Sequence, residues 1–584
     1  VTLVQTEADL PAETIAGGEI GRGQSQFARW GLTSHDVLVL VAGALFCAGT
    51  GPFEFGGWTL RMAALLAGLP LGVVLLVRLA WNRDRAALAA VAFVGWAFVA
   101  ALASRAPWRS MIGQVDGNSE SVVIFVGIFG FWALARRMSV RGRALVGPVL
   151  VGALGVSALV GVLQIVLDIR NGPLAHVGGR AGGLEGNAVL FSATLCGAVA
   201  WCASVNISAA SLRSRRISLA CVAFFALAIG LSGSRVSIAS IVLVSVVVCW
   251  RARTLSSLRV PAAAVLGLIA SWLVQLWTNV GATTASRLST AGDAGRSGVW
   301  RAGISAVAER PILGWGPGRV RPAIQHHFTS EFVRLHQTDD RRYAWNDVHN
   351  IVLQMLIAVG IVGVVLLTVF VVIAFRRVNF GMGLAAVAIS INWLLQPAGM
   401  SSLAVAAIFL GASTAFVGAP TRPVARWPRV LTASAVALGL TAGLALVVAD
   451  LNLRRAVESG DKSEIRSAAS WFGNDPLVLD VLVLESYSPN VASGRLGRVA
   501  AAHSATESEP DIPLWWSELA MTQFESNDLE GMRASIDTAL ALQPNHTRSW
   551  VQLTIYAKAV GDTELEAHAR ARACELGAPV CQPG

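Results

Sequence analysis

Thirteen stretches of mostly apolar residues, separated by short polar breaks, run along the chain. They lie near 36–52, 58–78, 86–103, 121–135, 144–168, 184–205, 217–233, 235–250, 260–278, 349–374, 381–397, 402–418 and 430–449. A helix of ~20 apolar residues matches the ~30 Å hydrocarbon core of a bilayer. In lipid a helix satisfies its own backbone polar groups, so the pattern predicts an all-α polytopic bundle of 12–13 transmembrane helices. Residues 1–35 are polar and of mixed charge, without the basic start and short apolar run of a cleavable leader. The expected division is a cytoplasmic tail over 1–35, a membrane domain over 36–450 with a large external loop at 279–348, and a separate unit over 451–584.

Composition agrees with this picture. Of 584 residues, 54% are apolar and 14% charged, against about 25% charged in soluble domains. The net charge of +10 would point to nucleic acid on a soluble chain, but its location gives it another meaning. Eighteen arginines fall in six alternate loops: Arg78, Arg83 and Arg85; Arg136, Arg137, Arg141 and Arg143; Arg213, Arg215 and Arg216; Arg251, Arg253 and Arg259; Arg376 and Arg377; Arg422, Arg426 and Arg429. The short intervening loops near 50–57 and 398–401 carry none. By the positive-inside rule the N-terminus is cytoplasmic, and the 279–348 loop and the C-terminal unit lie outside the cytoplasmic (inner) membrane. Residues 452–584 hold 11 basic and 18 acidic residues, so the excess positive charge belongs to the membrane part, and no nucleic-acid partner is expected. Cys47, Cys196, Cys202, Cys221 and Cys249 sit in apolar segments as small hydrophobes. Cys574 and Cys581 lie where a disulfide is permitted, and the sequence leaves their state open.

The C-terminal unit repeats itself. Pro476, Pro510 and Pro544, Trp516 and Trp550, Leu519 and Leu553, and Ala505, Ala539 and Ala573 all recur at intervals of 34. This period resembles the tetratricopeptide repeat, a stack of helix pairs whose apolar faces are buried only against neighbours. The match is best over 513–580 and weaker over 455–512. Such a unit either binds a protein or peptide or braces the domain beside it.

Four segments at outer helix ends carry candidate chemistry. Gly178-Gly179-Arg180-Ala181-Gly182-Gly183-Leu184-Glu185-Gly186-Asn187 offers backbone N–H groups and a guanidinium to an anion, or is a plain interhelical loop. Ser232-Gly233-Ser234-Arg235 puts an arginine at a membrane helix start, either lining a cavity or reaching to the interface. Arg296-Ser-Gly-Val-Trp300-Arg301 opens a short amphipathic helix over 299–308, stopped by Pro311-Ile312-Leu313-Gly314-Trp315-Gly316-Pro317-Gly318. Asp347-Val348-His349-Asn350 places at a helix mouth a residue type that titrates near neutral pH, either as a general base or as a polar boundary.

In this order and spacing, Arg180 with Gly186-Asn187, Ser232 to Arg235, Trp300 with Pro311 to Gly318, and His349-Asn350 with Gly360 and Gly363 resemble the O-antigen ligase and polymerase family of polytopic membrane glycosyltransferases. The resemblance covers roughly 150–420. One departure is Ala188-Val189, where the family often has a second Asn after Gly186-Asn187. The resemblance implies a GT-C-like helical bundle that moves a glycan from a polyprenyl-diphosphate carrier to a hydroxyl on a glycan, lipid or protein acceptor at the outer membrane face. It implies no cofactor. A leaving diphosphate develops negative charge, and arginine stabilises such charge in pairs of hydrogen bonds. By motif position Arg180, Arg235 and Arg296 are the diphosphate candidates, with Arg301 as alternate. His349 is the candidate base, in a single inverting displacement. Asn350 orients the base or the acceptor, and Asn187 belongs to the substrate-binding set.

Other readings remain. His326, His327, His336, Asp339, Asp340, Asp347 and His349 lie close together in sequence but match no standard metal-ligand spacing, so a metal-independent enzyme is expected. A polymerase extending lipid-linked repeat units uses the same chemistry as a ligase. The external repeat unit favours ligation to a larger acceptor. A lipid-linked glycan flippase is the non-enzymatic rival; the near absence of acids in the apolar segments and the gathering of candidate groups at one end favour surface chemistry.

Overall fold

A computed structural model describes residues 31–49, 57–113, 120–172, 174–278, 295–336, 347–376, 378–414, 426–459, 461–471, 478 and 493–581. Most of the expected N-terminal tail, the flanks of the external loop, Pro476, Asp339 and Asp340 lie outside the described residues.

Every predicted apolar segment falls on a helix. In chain order these are α1 (Ser34–Ala48), α2 (Gly57–Trp81), α3 (Arg85–Leu102), α4 (Val122–Arg136), α5 (Val140–Val166), α6 (Ala188–Ser208), α7 (Leu212–Ser232), α8 (Arg235–Ala252) and α9 (Arg259–Thr278). After α10 (Arg296–Glu309) come α11 (Ile351–Phe375), α12 (Phe380–Asn392), α13 (Met400–Ser413) and α14 (Arg426–Ser459). Among the described residues nine helices are long and apolar enough to cross a membrane, and α1, α4, α12 and α13 are shorter apolar helices. The chain is an all-α, multi-pass membrane protein, and the described residues contain no strand.

Polar residues at the predicted breaks start these helices. Thr33 with Asp36, Asp84, Ser121, Ser139, Asn187, Ser211, Ser234, Asn350 and Asn379 each accept a hydrogen bond from a backbone N–H of the first turn. Such caps satisfy donors that lipid cannot. The Asp36 carboxylate, fully buried, also accepts from the Ser139 N–H at 3.0 Å and the Ser139 hydroxyl at 2.8 Å, which ties α1 to α5. Helix α6 is the centre of the bundle, 78% buried against α7, α8 and α12, whereas α9 is 28% buried and shows Leu266, Trp272 and Trp277 outward. Outward apolar side chains are what a lipid-facing helix requires.

The described part of the external loop is not a polar surface loop. Val299, Ala302 and Ala306 of α10 and Val320 of the short helix Val320–His326 join the apolar core of the bundle.

Beyond α14 the tail forms α15 (Ser493–Ser508), α16 (Pro513–Glu525), α17 (Leu529–Leu542), α18 (Thr547–Val560) and α19 (Thr563–Glu575). The interval of 34 reappears as hydrogen bonding. Trp516 Nε1 donates to the Pro510 carbonyl and Trp550 Nε1 to the Pro544 carbonyl, both at 2.9 Å. Asp528 and Asp562 cap α17 and α19 alike. Cys574 and Cys581 form a disulfide that closes the end of α19.

One buried arginine fastens this tail to the membrane domain. Arg319, fully buried, pairs with Glu509 at 3.0 Å and with both oxygens of Asp511. The Asn545 amide donates to the Phe328 carbonyl at 2.7 Å, and Arg109 donates to the Ser508 hydroxyl at 2.7 Å. Removing one partner of a buried ion pair leaves uncompensated charge and costs about 3–5 kcal/mol. We therefore expect Arg319→Met to release the tail, seen as rapid proteolysis between the bundle and α16, while the bundle keeps its helical signal. Protease resistance equal to wild type would contradict the clamp.

Candidate functional site

Helix α11 is broken. Gly360 has φ of +66° and non-helical backbone within an otherwise apolar span. A Cβ there would meet the Ile312 carbonyl oxygen at 2.0 Å, so no other residue fits. The break strands carbonyls that lipid cannot solvate. Each finds a donor. Trp315 N–H bonds to Ile357 O at 2.7 Å, Gly316 N–H to Ala358 O at 3.0 Å, and Trp96 Nε1 to Val359 O at 2.8 Å. In return the Pro311 carbonyl accepts from Ile361 N–H at 2.9 Å. The Pro311–Gly318 motif is therefore a backbone plug for the notch in α11, which explains its glycines and its distance from Gly360.

The plug and the start of α11 fix the Asp347–Asn350 segment. Val348 N–H donates to Gln354 Oε1 at 3.0 Å, and the Val348 carbonyl accepts from Trp300 Nε1 at 2.8 Å. His349 has φ of +56°, a region that disfavours side chains other than glycine. Its N–H bonds to the Asp347 carboxylate, and its Nδ1 lies 3.0 Å from the Asp347 carbonyl oxygen. The imidazole is about 30% exposed. Burial raises the Asp347 carboxyl above the usual carboxylate range, against the opposing pull of His349.

The other segments meet this one through hydrogen bonds. Ile351 N–H and the Asn350 amide donate to the carbonyls of Trp393 and Leu394 at 2.7 and 3.1 Å. Gln396, in the same turn after α12, donates to the Ser234 hydroxyl at 2.6 Å. Ser237 bonds to Asn392 at 2.8 Å and to Ser192 of α6 at 2.9 Å. Arg180 Nε donates to the Ser232 carbonyl at 2.6 Å, and Ala181 N–H to the Leu231 carbonyl at 3.1 Å. All four sequence motifs thus converge at one end of the bundle. Arg235 is exposed in the first turn of α8, Arg180 is half-buried, and Arg296 and Arg301 flank Trp300 on α10.

Placement is uneven across the expected residues. Asn187 caps α6 through Val189 N–H at 2.9 Å and is exposed, and Asn350 caps α11 while bonding Leu394. Glu185 pairs with buried Arg61 at 2.9 Å. His326 bonds the Leu542 carbonyl and His327 lies 3.4 Å from Glu309, so these histidines serve the tail and α10 rather than His349. Among the described residues no three His, Cys, Asp or Glu side chains gather as metal ligands.

Two features had no signal in the sequence. Glu120, just before α4, is buried; it takes hydrogen bonds from Gln354 and the Gly318 backbone and leaves Oε2 without a partner. Through Gln354 it reaches Val348, so a carboxyl more than 200 residues away in sequence positions the histidine peptide. Burial, with the nearby Asp347 charge, pushes its carboxyl up to about 8. Beside it an apolar cavity of about 560 Å³ extends from Ile351 and Trp393 to Phe375, along the length of α11.

Glu120 makes stability depend on pH. Above its ordinary value of 4.5 the unfolded chain releases a proton that the folded chain keeps up to about 8. Stability from this group is therefore lost as pH rises through that window. Glu120→Gln does not titrate, so its thermal midpoint should match wild type near pH 4.5 and exceed it at pH 8. An equal difference at both pH values would show that the carboxyl is not held protonated.

No curated protein and no solved structure matches the chain. Residues 220–368, which include Arg235, Arg296, Arg301, His349, Asn350 and Gly360 but not Arg180 or Asn187, match the family model described as O-antigen ligase.

Proposed function

We propose that the chain transfers a glycan from a polyprenyl-diphosphate carrier to an acceptor hydroxyl at the outer face of the cytoplasmic membrane, as an O-antigen ligase-type enzyme. The observation that carries this reading is the convergence of Arg180, Arg235 and the His349 peptide at one end of the bundle, through Ser232, Ser234, Gln396 and Leu394. By the positive-inside rule, the arginine clusters of the opposite end support a cytoplasmic side for it.

With Nδ1 donating to the Asp347 carbonyl, Nε2 is the basic nitrogen of His349. It takes the proton of the acceptor hydroxyl as that oxygen forms a bond to the anomeric carbon. The bond from that carbon to the diphosphate oxygen breaks, and the electron pair leaves on the diphosphate. Arg235, Arg296 and Arg180 bind that charge, with Arg301 as alternate. One displacement at one carbon inverts its configuration. The left-handed backbone of His349, held by Trp300, Gln354 and Asp347, aims the ring before substrate arrives. The apolar cavity beside Glu120 suits the isoprenoid chain of the donor. No step requires a metal or cofactor.

The tail, which repeats at 34 residues, reads as a tetratricopeptide-like unit on the same outer side. Its clamp through Arg319 favours a bracing role at the acceptor side, and a protein or peptide partner on its other faces is compatible with that. Ligation to a large acceptor fits this better than polymerisation or flipping.

His349→Ala should lower transfer by about 10²–10⁴-fold, the range for loss of a general base. Cells carrying it should accumulate full-length carrier-bound glycan. Accumulated single repeat units would indicate a polymerase instead, and unchanged glycans would remove both enzymatic readings. Arg235→Lys keeps charge but loses the planar fork, and one charge-assisted hydrogen bond contributes ~1.5–3 kcal/mol, so turnover should fall by roughly tenfold or more. Wild-type turnover in that variant would refute two-point binding by Arg235.

A further inference from the structure

The end of the bundle opposite His349 holds a second site. A cavity of about 830 Å³ opens between the ends of α6, α7, α8, α9 and α12, lined by Arg215, Arg251 and Arg259 and by no acidic residue. The positive-inside rule asks only that arginines lie on this side, not that two loops bring three of them to one hollow. Arg213, Arg216 and Arg253 share these two loops, Arg376 lies in the loop before α12, and all four stay out of the lining. None of the three lining arginines pairs with a carboxylate among the described residues. Arg215 spends Nε on the Ala209 carbonyl at 2.8 Å, and Arg251 lies over the Phe380 ring at 5.9 Å.

Backbone dipoles add to this charge. The first turn of α12, capped by Asn379, and the first residue of α9 both border the cavity, and helix N-termini favour anions. The Thr254 and Ser256 hydroxyls share one hydrogen bond at 3.0 Å, which leaves one hydroxyl proton of the pair as a neutral donor. The remaining wall is mixed: Ser204, Asn206 and Ser257 are polar, while Trp201, Leu219, Phe380 and Met382 give it an apolar part that a fully hydrated anion does not need and a glycerol backbone does.

We propose that this cavity binds the phosphate of an anionic phospholipid headgroup from the adjoining leaflet. Free inorganic phosphate offers the same oxyanion without the apolar part. Basic pockets between membrane helices recognise lipid headgroups by this combination.

The test uses the purified full chain in detergent, with native mass spectrometry of bound phosphatidylglycerol, phosphatidylcholine of the same chains, and inorganic phosphate. Arg251 and Arg259 are exposed, so Arg251→Ala with Arg259→Ala should leave the fold intact. Arg213→Ala with Arg376→Ala removes the same charge outside the cavity and serves as control. Wild type and control should retain phosphatidylglycerol alike, the cavity variant roughly ten- to thirty-fold more weakly, and none should retain phosphatidylcholine comparably. Equal weakening in both variants, or equal retention of both lipids, would overturn the site. Phosphate binding that is lost in the cavity variant, without retention of phosphatidylglycerol, would overturn the lipid as its source.

Discussion

The architecture depends on how a broken helix is made tolerable in an apolar surrounding. Gly360 interrupts α11, and three consecutive carbonyls, Ile357, Ala358 and Val359, would otherwise face lipid unpaired. Burying an unbonded amide costs several kcal/mol, so donors must be delivered. Two come from the Pro311–Gly318 segment and one from Trp96 on α3. That requirement pulls the chain between α9 and α11 onto the bundle. Once seated, the same segment carries Arg319 to the tail, Gly318 to Glu120 and, through α10, Trp300 to Val348. The candidate base is therefore positioned by the repair of a helix break and not by a dedicated scaffold.

Charge is sorted along the bundle in a way that serves two purposes. At one end, arginines stand near exposed helix starts and a half-exposed histidine, with the acidic groups paired or buried: Glu185 on Arg61 and Glu120 held protonated near neutral pH. At the other end, arginines crowd without acidic partners around the cavity between α8 and α12. An orientation signal and a binding surface make compatible demands, since both need unneutralised cations on one side.

Hydropathy located all thirteen apolar helices because burial in lipid leaves a long uniform signature. It did not show where two of them end. The segment near 381–397 stops at Asn392, where the Trp393 and Leu394 carbonyls turn out of the helix to Ile351 and Asn350, and the segment near 402–418 stops at Ser413. The interval of 34 in the tail was legible because each Trp makes the same bond to the carbonyl six residues before it. The four motifs were legible as motifs, but their contact was not: Ser234 with Gln396, or Arg180 with Ser232, pairs residues whose separation has no local pattern. Glu120 and Arg319 were missed for the same reason. A single acid before a helix and a single arginine after a glycine-rich run look ordinary until the fold buries them.

The shortness of α12 and α13 bears on where chemistry takes place. Helix α12 has 13 residues and α13 has 14, so at 1.5 Å per residue each reaches only ~20 Å, against ~30 Å of hydrocarbon. Phe380 of α12 sits under Arg251, which anchors the start of α12 at the arginine-rich end. The turn after Asn392 must then lie about 10 Å below the opposite surface. Non-helical backbone at such depth persists only where protein or a cavity satisfies it. Here the satisfying groups are Asn350 and Ile351, with Ser234 holding the Gln396 side chain of the same turn. On the proposed reading, a recessed floor bordered by motif residues would let a diphosphate stay near the lipid that carries it while its sugar meets an acceptor from outside. The depth of the site thus follows from helix length, and the hydrogen bonds that permit that depth also bring the motifs together.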